Sequence, residues 1–391
     1  MNRILLLVFG ITFLGFIDTQ MIVPIMRLYA DNLGATVAMA GFIVGMYSIV
    51  NTPANIAFGP LVDRFGRKVP LVIGLVGDAS CMFLYTLCHT PQYLILVRGF
   101  HGLAGAVLGL ATASLVADYS AAQKKGSGMG FYAIAMGLAP LVGMMICGII
   151  TGRQLGFNLV FYSGSVLLLI AVILASLLPE SETRAKTEGI DFKKIGVVCK
   201  RKANIASYAA IFSQWFMMGV ITVLLPAYMV DLGMTAFDVA MVMLATIATC
   251  VVLSYPTGFL SDRIGRKIPS IIGLVSLVIA MNLIPTVASF RNLVLVGALQ
   301  GMGMACVLPS ALAIVSDNTE IDERGTAMGI FHGSITLGVA VGAPVAGALA
   351  KGVGASLAMH LSTLVPIIAV VVVLGLVKSG LAKREVVLEK R

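Results

Sequence analysis

GPLVDRFGRKVP occupies residues 59–70 and GFLSDRIGRKIP occupies residues 258–269, so the same charged phrase is written twice, 199 residues apart. The chain around them has 391 residues, of which 59% are hydrophobic and only 12% charged. A soluble domain carries about twice that share of charge. The repeat extends outward from the two phrases. Residues 59–130 align with 258–329 without a gap, and PLVIGLV answers PSIIGLV. Asp118 answers Asp317, and Met129-Gly130 answers Met328-Gly329. Upstream, IVPIMRLYADNLGAT resembles VLLPAYMVDLGMT. The chain is a duplicated unit.

Apolar runs of about 20 residues, the length of one bilayer-crossing helix, fill most of each copy. The pattern predicts spans over residues 4–27, 38–58, 70–88, 93–117, 127–150, 157–178, 205–229, 237–257, 269–288, 293–316, 326–350 and 354–378. The polar, basic segment ESETRAKTEGIDFKKIGVVCKRKAN separates six spans from six. The expected organisation is a bundle over 1–179, a cytosolic linker over 180–204, and a second bundle with a short basic tail over 205–391. With both termini in the cytosol, 22 of the 27 Lys and Arg residues fall inside and four outside, with Arg98 left within a span. That bias sets the orientation. It also accounts for the net charge of +9 without a nucleic-acid partner.

The N-terminal run resembles a leader peptide, but it is long and lacks a small-x-small cleavage site, so it reads as a retained first helix. The six cysteines show no CxxC or metal-ligand spacing and read as packing residues. No phosphate-binding glycine loop, HExxH motif or catalytic triad is present, so neither ATP-driven work nor an enzyme is expected. No cofactor and no metal site are expected.

The twice-written G-x-L-x-D-R-x-G-R-K phrase, between the second and third spans of each half, resembles the signature of the major facilitator superfamily. The resemblance covers essentially the whole chain and comes nearest the twelve-span drug:proton antiporters. It implies an all-α polytopic fold of 12 transmembrane helices in two pseudo-symmetric six-helix bundles, rocking about a central cavity. It further implies that the repeated loops latch the halves on the cytosolic face. The latch residues would be Gly59, Asp63, Arg64, Gly66, Arg67 and Asp118, and, in the second copy, Gly258, Asp262, Arg263, Gly265, Arg266 and Asp317. Gly66 permits the positive φ of a tight turn. Asp118 is the expected partner of Arg64, and Asp317 that of Arg263.

Ionisable residues inside spans are costly and are functional suspects. They are Asp18, Asp78, Arg98, His101 and His332. Asp18 and Arg98 fall at similar depth in spans that the resemblance places on the cavity, so an Asp18–Arg98 pair governing proton exchange is expected, with His101 as a candidate shuttle. Arg98 heads a helical stripe with Gly102, Gly105 and Gly109, small residues that let another helix approach. In the second copy Gln300 replaces His101 and Gly297 replaces Arg98, so the charge is not duplicated. Asp78 answers Leu277 and receives no role at this level.

In the fifth span, Gly137, Pro140 and Gly143 approximate the antiporters' Gly-Pro packing motif, with Ala139 in place of its glycine. Tyr47, Asn51, Tyr132, Gln214, Trp215 and Gln300 are the cavity candidates. With 21 Met and few polar groups, such a cavity suits adaptable, amphipathic ligands. The expected protein is a monomeric secondary transporter of the plasma membrane. Its partners would be a small-molecule substrate, protons and membrane lipids, and its activity proton-coupled export. Uptake or facilitated movement of a sugar or organic acid is the alternative.

Overall fold

Hydrocarbon offers no partner for a free backbone N–H or C=O, so apolar runs of this length close their hydrogen bonds within helices. The computed structural model describes residues 3–119, 125–179, 192–320 and 323–377. The helices in chain order are α1 (Arg3–Ile22), α2 (Met26–Asn32), α3 (Val37–Phe65), α4 (Lys68–Tyr85), α5 (Pro91–Tyr119), α6 (Lys125–Gly152), α7 (Phe157–Ser176) and α8 (Phe192–Lys200). They continue with α9 (Lys202–Asp231), α10 (Ala236–Ile264), α11 (Lys267–Leu283), α12 (Phe290–Asp317), α13 (Arg324–Val353), α14 (Ala355–Ser362) and α15 (Leu364–Leu376). Twelve stretches among the described residues are long and apolar enough to cross a membrane.

Three details depart from the expected boundaries. The first span stops at Ile22, and the chain turns through Pro24 before the short helix α2. Its counterpart α9 runs through Pro226 without a break. The last span is two helices, parted at Thr363, whose hydroxyl donates to the His360 carbonyl at 2.6 Å. Part of the basic segment between the halves is helical: α8 buries Val198, and Arg201 is held by Glu323 at 2.6 Å and by the Asn318 carbonyl at 2.7 Å.

Residue contacts divide the chain into two compact units. The first comprises residues 1–189, 221–244 and 343–355, and the second comprises 190–220, 245–342 and 356–391. In the first, α1 packs on α6 and α7, α4 on α5 and α7, and α3 on α5. Glycines set several of these distances. A Cβ on Gly102 would collide with the Tyr47 carbonyl, and one on Gly143 would stand 2.8 Å from the Ile17 carbonyl. Gly41 of α3 and Gly347 of α13 lie against one another's backbone, and Gly148 of α6 accommodates Met241 of α10. In the second unit α11 packs on α12 and α15, and Gly301 lies on the Thr246 carbonyl as Gly102 does on that of Tyr47. The helix crossing is thus repeated at the same 199-residue offset. Ile73, Leu96 and Phe100 are more than half exposed, apolar side chains whose exposure suits a lipid surrounding.

A buried acid–imidazole cluster as the candidate functional site

Four helices of the first unit bring their polar side chains to one point. His101 of α5 is fully buried. Its Nε2 lies 2.8 Å from Asp18 Oδ2 on α1, and its Nδ1 lies 2.9 Å from the Tyr85 hydroxyl on α4. Asp78 Oδ1, also on α4, is 3.8 Å from Nε2 and has no hydrogen-bond partner. Asp18 Oδ1 receives a second contact, at 3.4 Å, from the Thr19 hydroxyl. Tyr47 of α3 sets its ring edge-on to the imidazole, with centroids 5.1 Å apart. The guanidinium of Arg98 stands over the same Tyr47 ring at 5.0 Å, a cation–π arrangement. Asp18, Asp78 and Arg98 are 1%, 1% and 6% exposed, so these charges and polar atoms have almost no access to water.

Helical spacing explains the convergence. Arg98 and His101 are three residues apart on α5, and Asp78 and Tyr85 seven apart on α4, so each pair shares a face. Gly102 and Gly105 admit Tyr47: a Cβ at Gly105 would stand 2.5 Å from the Tyr47 hydroxyl oxygen. Asn51 fixes the same crossing by donating from Nδ2 to the Gly102 carbonyl at 3.0 Å. Tyr29 of α2 pins the end of α4 beside Tyr85. Its hydroxyl donates to the Tyr85 carbonyl at 2.6 Å, and burial pushes that phenol up to about 12.

The expected Asp18–Arg98 pair takes a different form. Asp18 is paired with His101, and no ion pair joins Arg98 to either aspartate among the described residues. His101, one helical turn along α5, takes the place beside Asp18, and Arg98 Nε and Nη1 have no hydrogen-bond partner. The sequence alone singles out neither Tyr85 nor a role for Asp78. The available signal is asymmetry: each is polar in one copy and apolar, Ile284 and Leu277, in the other.

The remaining expectations fall elsewhere. Gln214 and Gln300 are buried in the second unit with neither amide atom hydrogen-bonded, and Trp215 Nε1 is likewise unpartnered. Tyr132 is partly buried on α6. Gly143 serves the α1–α6 contact one turn from Asp18, whereas a Cβ added at Gly137 would meet nothing within 4 Å, and Pro140 lies inside α6. In the second charged loop, Gly265 takes φ +89° and Arg266 meets both Asp262 and, at 3.3 Å, Asp317. The expected Arg263–Asp317 pair is therefore replaced. Arg263 ends α10 with its guanidinium 4.3 Å from the ring of Phe259, one turn back, while Arg266 lies beyond the glycine turn, where it can reach both acids. Gly258 admits Pro309. In the first loop Gly66 repeats the turn with φ +82°, and Arg67 is buried. The side chains of Asp63, Arg64 and Asp118, and the surroundings of Gly59, lie outside the described residues.

A separate cavity of about 570 Å³ opens in the first unit among Arg27, Asp31, Phe157, Leu224, Asp231 and Ala350. Arg27 Nε donates to Asp31 Oδ2 at 2.8 Å. Burial raises the Asp31 carboxyl, Arg27 opposes that, and Asp231 adds to it.

Twelve membrane-length spans among the described residues, a duplicated packing plan and a mid-span cluster of buried ionisable groups in the first copy define a polytopic membrane transporter. The pattern of the Major Facilitator Superfamily matches residues 8–250 and 207–390, and the chain belongs to that family. It is an integral membrane transport protein, and neither family nor fold is that of an enzyme. It is similar to an uncharacterized MFS-type transporter, MJ1560, of Methanocaldococcus jannaschii, at 27% identity over 88% of this chain and 90% of that one. It is also similar to the quinolone resistance protein NorA of Staphylococcus aureus, at 23% identity over 61% of this chain and 57% of that one. The crystal structure of the nucleoside transporter NupG shares the fold, with a TM-score of 0.80 at 15% identity, covering 97% of this chain and 100% of that one.

Proposed function

We propose that this protein is a proton-coupled exporter of small amphipathic molecules, working by alternating access between halves formed by residues 1–179 and 205–391. The observation that carries the reading is the Asp18–His101–Asp78 cluster beside Arg98, present in one copy of the repeat and absent from the other. Unlike the Arg27–Asp31 pair near the helix ends, this cluster buries its ionisable groups in mid-span, where their cost is highest. A buried carboxylate is tolerated as an anion when wet or paired, and is favoured as the neutral acid when dry. Opening and closing the cluster to water therefore loads and unloads a proton. His101 carries both a carboxylate and a phenol on its ring nitrogens, the arrangement of a proton relay.

Export is favoured by the likeness to a protein named for quinolone resistance and by the sparse polar inventory of the spans. A hydrophilic solute calls for more convergent hydrogen-bonding groups. The likeness to a nucleoside transporter's fold keeps uptake of a polar metabolite as the second reading. The protein would act as a monomer in the plasma membrane with both termini in the cytosol, an orientation supported by the Lys and Arg bias. The loops at Gly66 and Gly265 would latch the cytosolic face. The test is a substrate screen in proteoliposomes with and without a pH gradient, using ethidium as the cationic amphipathic probe and uridine and glucose as polar ones. Gradient-driven movement of ethidium supports the reading. Movement of a polar probe alone replaces it with the second.

A further inference from the structure

We propose that Asp78 holds the one exchangeable proton of the buried cluster, so that each cycle moves a single proton. The inference rests on the reading of this cluster as the coupling site and assigns the proton within it.

The two carboxylates that face His101 are not equivalent. Asp18 has a firm donor in His101 Nε2 at 2.8 Å, while the Thr19 hydroxyl, 3.4 Å away, lies nearer the Phe16 carbonyl at 3.2 Å. Asp78 Oδ1 lies 3.8 Å from the same nitrogen, beyond hydrogen-bond distance, and nothing else donates to it. An ionised oxygen buried without a donor forfeits its solvation and gains nothing, whereas the neutral acid does not carry that cost. Counting charge gives the same assignment. Arg98 is a permanent cation. The Asp18 carboxylate balances it. We assign His101 the neutral tautomer in which Nε2–H donates to Asp18 and Nδ1 accepts from the Tyr85 hydroxyl. The cluster is then neutral overall only if Asp78 carries a proton.

Among the described residues no other charge faces this point. Helix α3 contributes Tyr47, and α4 itself adds Cys81 and Tyr85, all neutral acids. Helix α7 contributes Ser165, whose hydroxyl donates to the Ala79 carbonyl at 2.9 Å, and Phe161, packed on Tyr85. In the second copy the equivalent of Asp78 is the fully buried Leu277. The fold thus accepts a neutral side chain at this place.

The transfer is simple to balance. When water reaches the cluster, the Asp78 O–H bond breaks and the proton passes to that water. The resulting carboxylate is solvated by the water that entered, while His101 Nε2–H stays on Asp18. A proton from water on the other side of the membrane restores the acid before closure.

Infrared difference spectroscopy of the full chain in lipid vesicles, stepped from acidic to alkaline buffer, tests the assignment. One carboxylic-acid carbonyl band should titrate, shift in heavy water, persist in Asp18→Asn and vanish in Asp78→Asn. Asp78→Glu, which guards against misfolding of the amide variant, should keep the band at a shifted frequency. On an alkaline jump the wild type should release one proton per chain more than Asp78→Asn. A band that survives Asp78→Asn, or that Asp78→Glu leaves unmoved, overturns the assignment, and a difference of two protons overturns the single-proton count. If wild-type ethidium transport ignores the pH gradient, the coupling reading itself fails. If transport is gradient-driven and the band survives Asp78→Asn, only the assignment to Asp78 fails.

Discussion

The two copies of the repeat agree where helices touch and differ where charge is buried. Gly102 on the Tyr47 carbonyl and Gly301 on the Thr246 carbonyl are the same crossing made twice. Around that crossing, Tyr47, Asn51, Asp78, Tyr85, Arg98 and His101 become Thr246, Cys250, Leu277, Ile284, Gly297 and Gln300. No acidic residue occurs in α9 before Asp231, so Asp18 is not replaced either. Backbone approach is a requirement of the fold and is retained in both copies. Charge buried in mid-span is a cost to the fold, and the second copy lacks this cluster. What remains in the other copy is the cluster to which we assign the coupling.

The largest effects test the shared part. Gly102→Leu and Gly301→Leu each drive a side chain into a backbone carbonyl that cannot step aside. Each should cost about 3 kcal/mol or more, at the upper end for overpacking. Thermal unfolding in detergent should show comparable losses for both. Tolerance of one and not the other would break the equivalence of the crossings.

The next test exchanges the unshared part. His101→Gln imports the residue of the second copy. It should leave folding intact and cut gradient-driven ethidium transport by about tenfold or more, equivalent to about 1.4 kcal/mol in the barrier. Gln300→His, the reverse exchange, should leave gradient dependence as it was, because no carboxylate awaits it. Equal losses from both exchanges would mean that coupling is spread over the two copies.

Smaller effects follow at the loops. Arg266→Ala removes a largely exposed contact with Asp262 and Asp317 and should change stability by under about 1 kcal/mol. Its larger consequence should be conformational. Spin-label distances between the charged loops should lengthen if the loop is a latch, and unchanged distances would reduce it to a topology signal. The smallest effect concerns Asp31, whose partner Arg27 answers Pro226 in the second copy. Because burial raises the Asp31 carboxyl, its protonated form favours the folded state. That contribution is complete below the unfolded value and fades as pH rises through the raised one. Melting curves of wild type minus Asp31→Asn, followed against pH, should show this fade. Arg27→Gln should deepen it, and a flat difference would contradict it.

Most of the fold was legible because its determinants are periodic and local: apolar runs of membrane length, a loop phrase written twice, and cations concentrated in alternate loops. The breaks at Pro24 and Thr363 were not legible, since Pro226 sits in an unbroken helix and proline alone does not decide. The site was legible in part. Asp18, Arg98 and His101 announce themselves as charges in grease. Their pairing does not, because it depends on helix rotation: His101, and not Arg98, is turned to Asp18. Tyr85 carries no charge to draw notice, yet it holds the other imidazole nitrogen. Likewise Arg263 and Arg266 are indistinguishable in the phrase, and only the turn at Gly265 selects Arg266.

The central claim is that coupling resides in the acid–imidazole cluster of the first copy. Ethidium transport by Asp18→Asn in proteoliposomes, with and without an imposed pH gradient, tests it most directly. The account predicts normal insertion and gradient-independent movement only. Undiminished gradient-driven transport by that variant would contradict it.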